Sequence, residues 1–293
     1  MSARAFGALA VCAAVMLTAC KGAAAQSAPG LRSTSGPYPV VMVEDPRLPG
    51  STVYRPGQLP SGKLPVLIWG NGGCINAGNI YAILLTEIAS HGYLVVAAGP
   101  IVKDFDRPPP GVDLRGSTPQ QLVRAIDWAV AENARAGGPL AGKVDTDNVA
   151  AMGTSCGGQQ ALWAALNDVR VKTLILGNSG LGEGGGRLGV TVADLNRLKV
   201  PVLYLVGGPT DTAFQAVEDN FRRLTTIPVF KGALPVGHFE TWHQDQGGAF
   251  GQAALAWLDW LLKDSLDAAR AFTGPDCALC REPGWTVERK NIP

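Results

Sequence analysis

Charge is scarce in this chain. Only 17% of its 293 residues are Asp, Glu, Lys or Arg, the formal net charge is +1, and no acidic or basic block stands out. A surface that tracks phosphates needs clustered cations, so nucleic-acid binding is not expected. Histidine is scarcer still: His91, His238 and His243 are the whole supply, and any histidine-dependent chemistry must use one of them. No internal repeat is found, which argues against a solenoid or propeller array. After the N-terminal leader, no apolar run reaches the roughly 20 residues that span a bilayer as a helix.

Apolar side chains and turn formers are plentiful. Hydrophobic residues make up 46%, and the 37 glycines and 21 prolines are scattered between apolar runs. This composition suits a turn-rich globular protein with a well-buried core.

Residues 1–20 read as a targeting segment. Arg4 supplies a positive end, and an apolar stretch too short to span a bilayer follows over residues 5–16. Leu17-Thr18-Ala19-Cys20 then resembles the lipobox of bacterial lipoproteins, in which Cys20 becomes the lipid-modified N-terminus. The alternative is an ordinary signal peptide cut after Ala25. Either processing exports the chain. Acyl chains on Cys20 would anchor it to an envelope membrane, periplasmic or outer, without spanning it. Residues 21–36, rich in Ala, Ser, Gly and Pro, read as a flexible tether, residues 37–263 as one catalytic domain, and residues 264–293 as a tail holding Cys277 and Cys280.

Two β-prone runs over residues 38–54 open the domain. Strand-like and helix-like segments then alternate. Continuous apolar runs at 66–69, 94–98, 149–153, 171–176 and 202–206 read as strands buried on both faces, with 228–234 as the last strand. Helical spacing marks 77–90, 118–133, 159–166, 213–224 and 250–263. In the second of these, Thr118 is a cap, Pro119 sits in the first turn, and Leu122, Ile126 and Val130 are assigned to the apolar face. The alternation predicts an α/β protein with a mostly parallel sheet.

Gly153-Thr154-Ser155-Cys156-Gly157 lies between a strand and a helix. A serine there sits on a strained turn that lifts its hydroxyl above the sheet, and the flanking glycines leave room for the tight backbone. On this motif the chain resembles the α/β-hydrolase superfamily, and most of all its small, nearly lidless members: dienelactone hydrolases, chlorophyllases and cutinase-like polyester hydrolases. The resemblance covers residues 66–263. It implies the α/β-hydrolase fold, a mostly parallel central sheet flanked by helices with a minimal lid, and nucleophile, acid and base in the chain order Ser, Asp, His.

Ser155 is then the nucleophile and Asp211, just past the strand 202–206, the acid. Glu218 and Asp219 are rivals within the following helix. His238 follows the last predicted strand and is the expected base; His243 is the runner-up, and His91 lies in a turn where a structural role is usual. An oxyanion hole needs two backbone N–H groups aimed at one developing charge. Cys156 supplies one. The other comes from Gly70-Asn71-Gly72-Gly73-Cys74, at Gly73 or alternatively Cys74. Many relatives carry His-Gly where this chain has Asn71-Gly72, so no histidine role is transferred to Asn71. Convergence of both donors on one oxygen brings Cys74 and Cys156 within disulfide range, and export favours the bond. Cys277 and Cys280 read as a second, structural disulfide, because two cysteines without a nearby histidine do not make a zinc site.

Trp69, Asn71, Asn178, Phe239 and Trp242 are candidate substrate-binding residues. Asp145 and Asp147 read as turn residues. The glycine-rich segment 178–199 is too short for a helical cap, so an open cleft able to admit bulky or polymeric acyl groups is expected. The expected activity is ester hydrolysis on a small or polymeric ester, with no metal and no organic cofactor. Two other readings stay open: an amidase or peptidase using the same residues, and a lipoprotein that kept the fold as a non-catalytic binding module.

Overall fold

The computed structural model describes residues 34–293 apart from Arg187 and Glu240. The leader, the lipobox with Cys20 and most of the tether lie outside the described residues. The end of the tether is already packed: the Ser35 amide donates to the Glu87 carboxylate at 2.9 Å and the Gly36 amide to the Ser90 hydroxyl at 3.2 Å.

β1 (Val40–Val43) and β2 (Ser51–Pro56) form an antiparallel hairpin. The alternating part follows: β3 (Leu64–Gly70), α1 (Ala82–Ser90), β4 (Leu94–Ala98), α2 (Pro119–Ala134), β5 (Val144–Thr154), α3 (Cys156–Asn167), β6 (Val171–Gly177), β7 (Val202–Val206), α4 (Phe214–Arg223), β8 (Val229–Ala233) and α5 (Gly248–Lys263). Two short helices, α6 (Leu266–Ala269) and α7 (Ala278–Arg281), lead to β9 (Thr286–Lys290). The sheet order is β1-β2-β4-β3-β5-β6-β7-β8-β9. From β4 to β8 across the sheet, neighbours are parallel; β2 and β9 close it antiparallel at either side.

Period-two alternation sends successive strand residues to two cores. Val66 and Ile68 of β3 join the core that includes α2, α3 and α4, whereas Leu67 and Trp69 join the core on the other face, which includes α1 and α5. Helices on both faces leave these strands fully buried, hence their unbroken apolar runs. In α2, the Thr118 amide donates to the Gln121 side chain at 2.6 Å in a reciprocal capping box, and Pro119 takes the first turn. Leu122, Ala125, Ile126 and Ala129 carry its buried face; Val130 is rotated off that face and exposed, a correction to the predicted stripe.

The reading of residues 264–293 as a tail, with 228–234 as the last strand, is also corrected. β9 pairs with β8 from Ala233↔Thr286 to Val229↔Lys290. Its sequence, Thr-Val-Glu-Arg-Lys, has no apolar run, because an edge strand buries little of itself. Its Glu288, with Glu218 of α4, neutralises the buried Lys231 of β8. Cys277 and Cys280 are joined in a disulfide, and the Cys277 sulfur accepts the Cys280 amide at the start of α7.

Candidate active site

The parallel strands end on one side of the sheet, and the loops that follow β3, β5, β6, β7 and β8 meet there. Ser155 joins β5 to α3 with φ 52° and ψ −122°, a left-handed conformation that a non-glycine residue adopts only at a cost. The two motif glycines admit no side chain. A Cβ on Gly153 would stand 2.3 Å from the Gly157 carbonyl oxygen, and one on Gly157 would stand 2.1 Å from the backbone of Gly70. Elbow and β3 loop are therefore in backbone contact.

The loops after β7 and β8 touch in the same manner, since a Cβ on Gly207 would meet the Gly237 carbonyl at 1.8 Å. That contact sets Asp211 beside His238. The imidazole Nε2 lies 3.1 Å from Ser155 Oγ, and Nδ1 lies 2.5 Å from Asp211 Oδ1. The Thr212 hydroxyl is 3.2 Å from the same Nδ1. Asp211 is buried, which by itself would raise its pKa. Hydrogen bonds from the Ala213 amide at 2.8 Å, His238, the Gly207 amide at 2.9 Å and the Asn178 amide group at 2.7 Å outweigh burial, and hold the carboxyl below the usual aspartate range.

A family model described as PETase, PET hydrolase-like, matches residues 21–179. That is more than half of the chain. The chain belongs to the PET hydrolase-like family. It is a carboxylic ester hydrolase with the α/β-hydrolase fold. No curated protein matches it. The matched segment carries the β3 loop and Ser155, while Asp211 and His238 lie beyond it.

The cleft of this PET hydrolase-like chain measures about 440 Å³ and is lined by Gly73, Ser155, Cys156, Gln159, Asn178, Ser179, Gly180, Gly182, Thr212, Ala213, Ala216 and His238. Its walls are small and polar. Gln159, Thr212, Ala213 and Ala216 were not singled out from the sequence. Their signal is positional: Gln159 stands one helical turn past Ser155, Thr212 and Ala213 lead from Asp211 into α4, and Ala216 lies in the first turn of that helix.

Gly73 and Cys156 both reach the cleft. Cys74 does not serve as a donor: its amide is spent on the Asn71 carbonyl at 3.1 Å, a correction to its alternative role. Its sulfur is instead bonded to Cys156, with the two Cα atoms 5.2 Å apart. Its carbonyl accepts the Ser117 hydroxyl at 2.5 Å, and Ser117 in turn accepts from the buried Gln160 of α3 at 3.1 Å. The β3 loop is thus pinned to α3 twice.

Three of the predicted substrate-binding residues lie beneath the cleft. Trp69, Asn71 and Trp242 are almost fully buried and line none of it. Asn71 accepts the Trp69 indole N–H at 2.8 Å and donates to the carbonyls of Ile75 and Ala98, so it braces the loop. Trp242 packs against Trp69 and Phe250. Asn178 reaches the cleft wall, but its polar groups are engaged with Asp211 and Trp242. Phe239 is 78% exposed and stands edge-on to His238, with centroids 4.9 Å apart. His243 stacks on Tyr81, and His91 lies against Glu87. Glu218 pairs with Lys231 and Asp219 with Arg222, away from the histidine. Among the described residues between β6 and β7 there is a short 3-10 helix, Val192–Arg197, and no helical cap. Among the described residues, no helix is long and apolar enough to cross a membrane, and no group of three His, Cys, Asp or Glu could hold a metal ion.

Proposed function

We propose that the chain hydrolyses a polyester, or a bulky carboxylic ester, through an acyl-enzyme on Ser155. The observation that carries the mechanism is the line of contacts Ser155 Oγ to His238 Nε2 to Asp211 Oδ1, at 3.1 and 2.5 Å. A serine hydroxyl is a weak nucleophile until a base takes its proton. As Oγ attacks the carbonyl carbon, the proton passes to His238 Nε2, and Asp211 stabilises the imidazolium. The Gly73 and Cys156 amides receive the carbonyl oxygen as it becomes an oxyanion. When the tetrahedral intermediate collapses, the ester C–O bond breaks and His238 protonates the departing alcohol. A water, deprotonated by the same imidazole, then releases the acid and restores Ser155.

The family match, the uncapped cleft and the small residues lining it favour a polymeric or bulky acyl group. Phe239, exposed beside His238, offers an apolar face to it. We further propose one catalytic domain with an exported, lipid-bearing N-terminus at Cys20, supported by Leu17-Thr18-Ala19-Cys20.

The test compares p-nitrophenyl butyrate, the matched anilide and a poly(ethylene terephthalate) film, with wild type and Ser155→Ala. Turnover of both esters, lost in Ser155→Ala while cooperative unfolding persists, is the expected result. Anilide cleavage at a rate matching the ester would favour the amidase reading. Absence of both turnover and fluorophosphonate labelling of Ser155 would favour the binding module.

A further inference from the structure

Asn178 follows β6 and is fully buried, with φ 46°. Its Nδ2 donates to Asp211 Oδ2 at 2.7 Å, and its Oδ1 accepts the Trp242 indole N–H at 2.7 Å. We propose that Asn178 and Trp242 are a positioning pair for the acid of the active site: the indole orients the amide, and the amide orients the Asp211 carboxylate. The inference rests on the reading of Ser155, His238 and Asp211 as a triad.

The chemistry of the two ends selects one orientation. An indole N–H only donates, and an ionised carboxylate only accepts. The amide must therefore turn its oxygen to Trp242 and its nitrogen to Asp211. The reversed amide would set N–H against N–H and oxygen against oxygen. Gly207 and Ala213 also donate to Asp211, but both belong to its own loop. Asn178 comes from the neighbouring strand, so it ties the acid to the sheet from outside that loop.

Several features that cost stability place this one indole. Thr241, a β-branched residue, holds φ 74°, and its buried hydroxyl has no hydrogen-bond partner among the described residues. Gly177 makes room, because a Cβ there would come 2.3 Å from the Trp242 ring. Packing against Trp69 and Phe250 asks only for an aromatic ring; the contact with Asn178 asks for the N–H.

The test separates ring from N–H, using steady-state hydrolysis of p-nitrophenyl butyrate by the full chain, with urea unfolding as the control for folding. Trp242→Phe keeps the ring; it should lower kcat about fivefold and leave KM within about twofold. Asn178→Gly tolerates the positive φ and removes the amide; it should lower kcat about 10- to 100-fold, as expected for a hydrogen bond to a charged group. Asn178→Gly also carries the test if Trp242→Phe does not fold. Both substitutions are repeated in an Asp211→Asn background. There they should cost nothing further, because a pair that acts through the carboxylate has nothing left to orient. Wild-type kcat in Trp242→Phe, or equal losses in both backgrounds, would overturn the proposal and leave a packing role. Native turnover in Asp211→Asn alone would overturn the triad reading itself, a separate and recognisable result.

Discussion

Replacing both Cys74 and Cys156 by serine tests how the β3 loop is held. The bond links residues 82 apart in sequence. Closing a loop of that length in the unfolded chain removes entropy worth about 4.5 kcal/mol at 25 °C. At roughly 2.1 cal/mol/K of unfolding entropy per residue, that loss lowers Tm by about 8 °C for a domain of this size. The second disulfide is an internal control: Cys277 and Cys280 are 3 residues apart, and the same relation gives under about 2 kcal/mol for its removal. The functional effect should be separable. In the Cys74/Cys156 double variant the Ser117 hydroxyl still holds the Cys74 carbonyl, so the loop is loosened and not lost. We expect kcat on p-nitrophenyl butyrate to fall about tenfold, less than the roughly 100-fold or more seen when an oxyanion donor is deleted outright. Urea unfolding of unreduced proteins, with initial rates on the same preparations, provides both readings. Equal stability losses from the two disulfides, or wild-type kcat in the Cys74/Cys156 variant, would refute the reasoning.

Asp211 gives a pH prediction with a definite sign. Its folded pKa lies below the ordinary value, so its ionised form stabilises the fold above the unfolded aspartate pKa of about 3.9, and this contribution is lost as pH falls through the lower folded value. The stability gap between wild type and Asp211→Asn should shrink below about pH 4 in urea titrations; a gap that is constant or widening with acid would contradict it. Gly177→Ala should push Trp242 aside and cost about 1–3 kcal/mol, with a matching loss of kcat; neutral behaviour in both would show that the ring has room to move. Ending the chain after Trp285 removes β9, bares the edge of β8 and takes Glu288 from Lys231; a loss of about 3 kcal/mol or more and visible aggregation are expected on heating, and an unchanged Tm would argue against a structural role for the strand. Mass spectrometry of membrane-extracted protein should find lipid on Cys20; an unlipidated N-terminus at Gln26 would assign an ordinary signal peptide.

Local pattern alone determined much of this protein. The buried parallel strands announce themselves as apolar runs, since both faces are covered, and α2 is marked by its own capping residues. The glycine-flanked Ser155 is legible because the strained turn restricts which residues can stand beside it. Asp211 and His238 were expected after their strands only through the Ser, Asp, His order that the resemblance to the α/β-hydrolases implies. Tertiary structure decided the rest. That His238 and not His243, five residues later, meets Asp211 depends on where the loop after β8 turns, a matter of backbone contact between Gly207 and Gly237. An aromatic near the site in sequence is equally compatible with wall and foundation; only packing shows that Trp69 and Trp242 lie below the cleft while Phe239 lies outside it. The Cys74 amide is excluded as a donor by a turn within its own loop. β9 has no signal of its own, because an edge strand made of charged residues gains its stability from its neighbour, and that neighbour is more than fifty residues away in the chain.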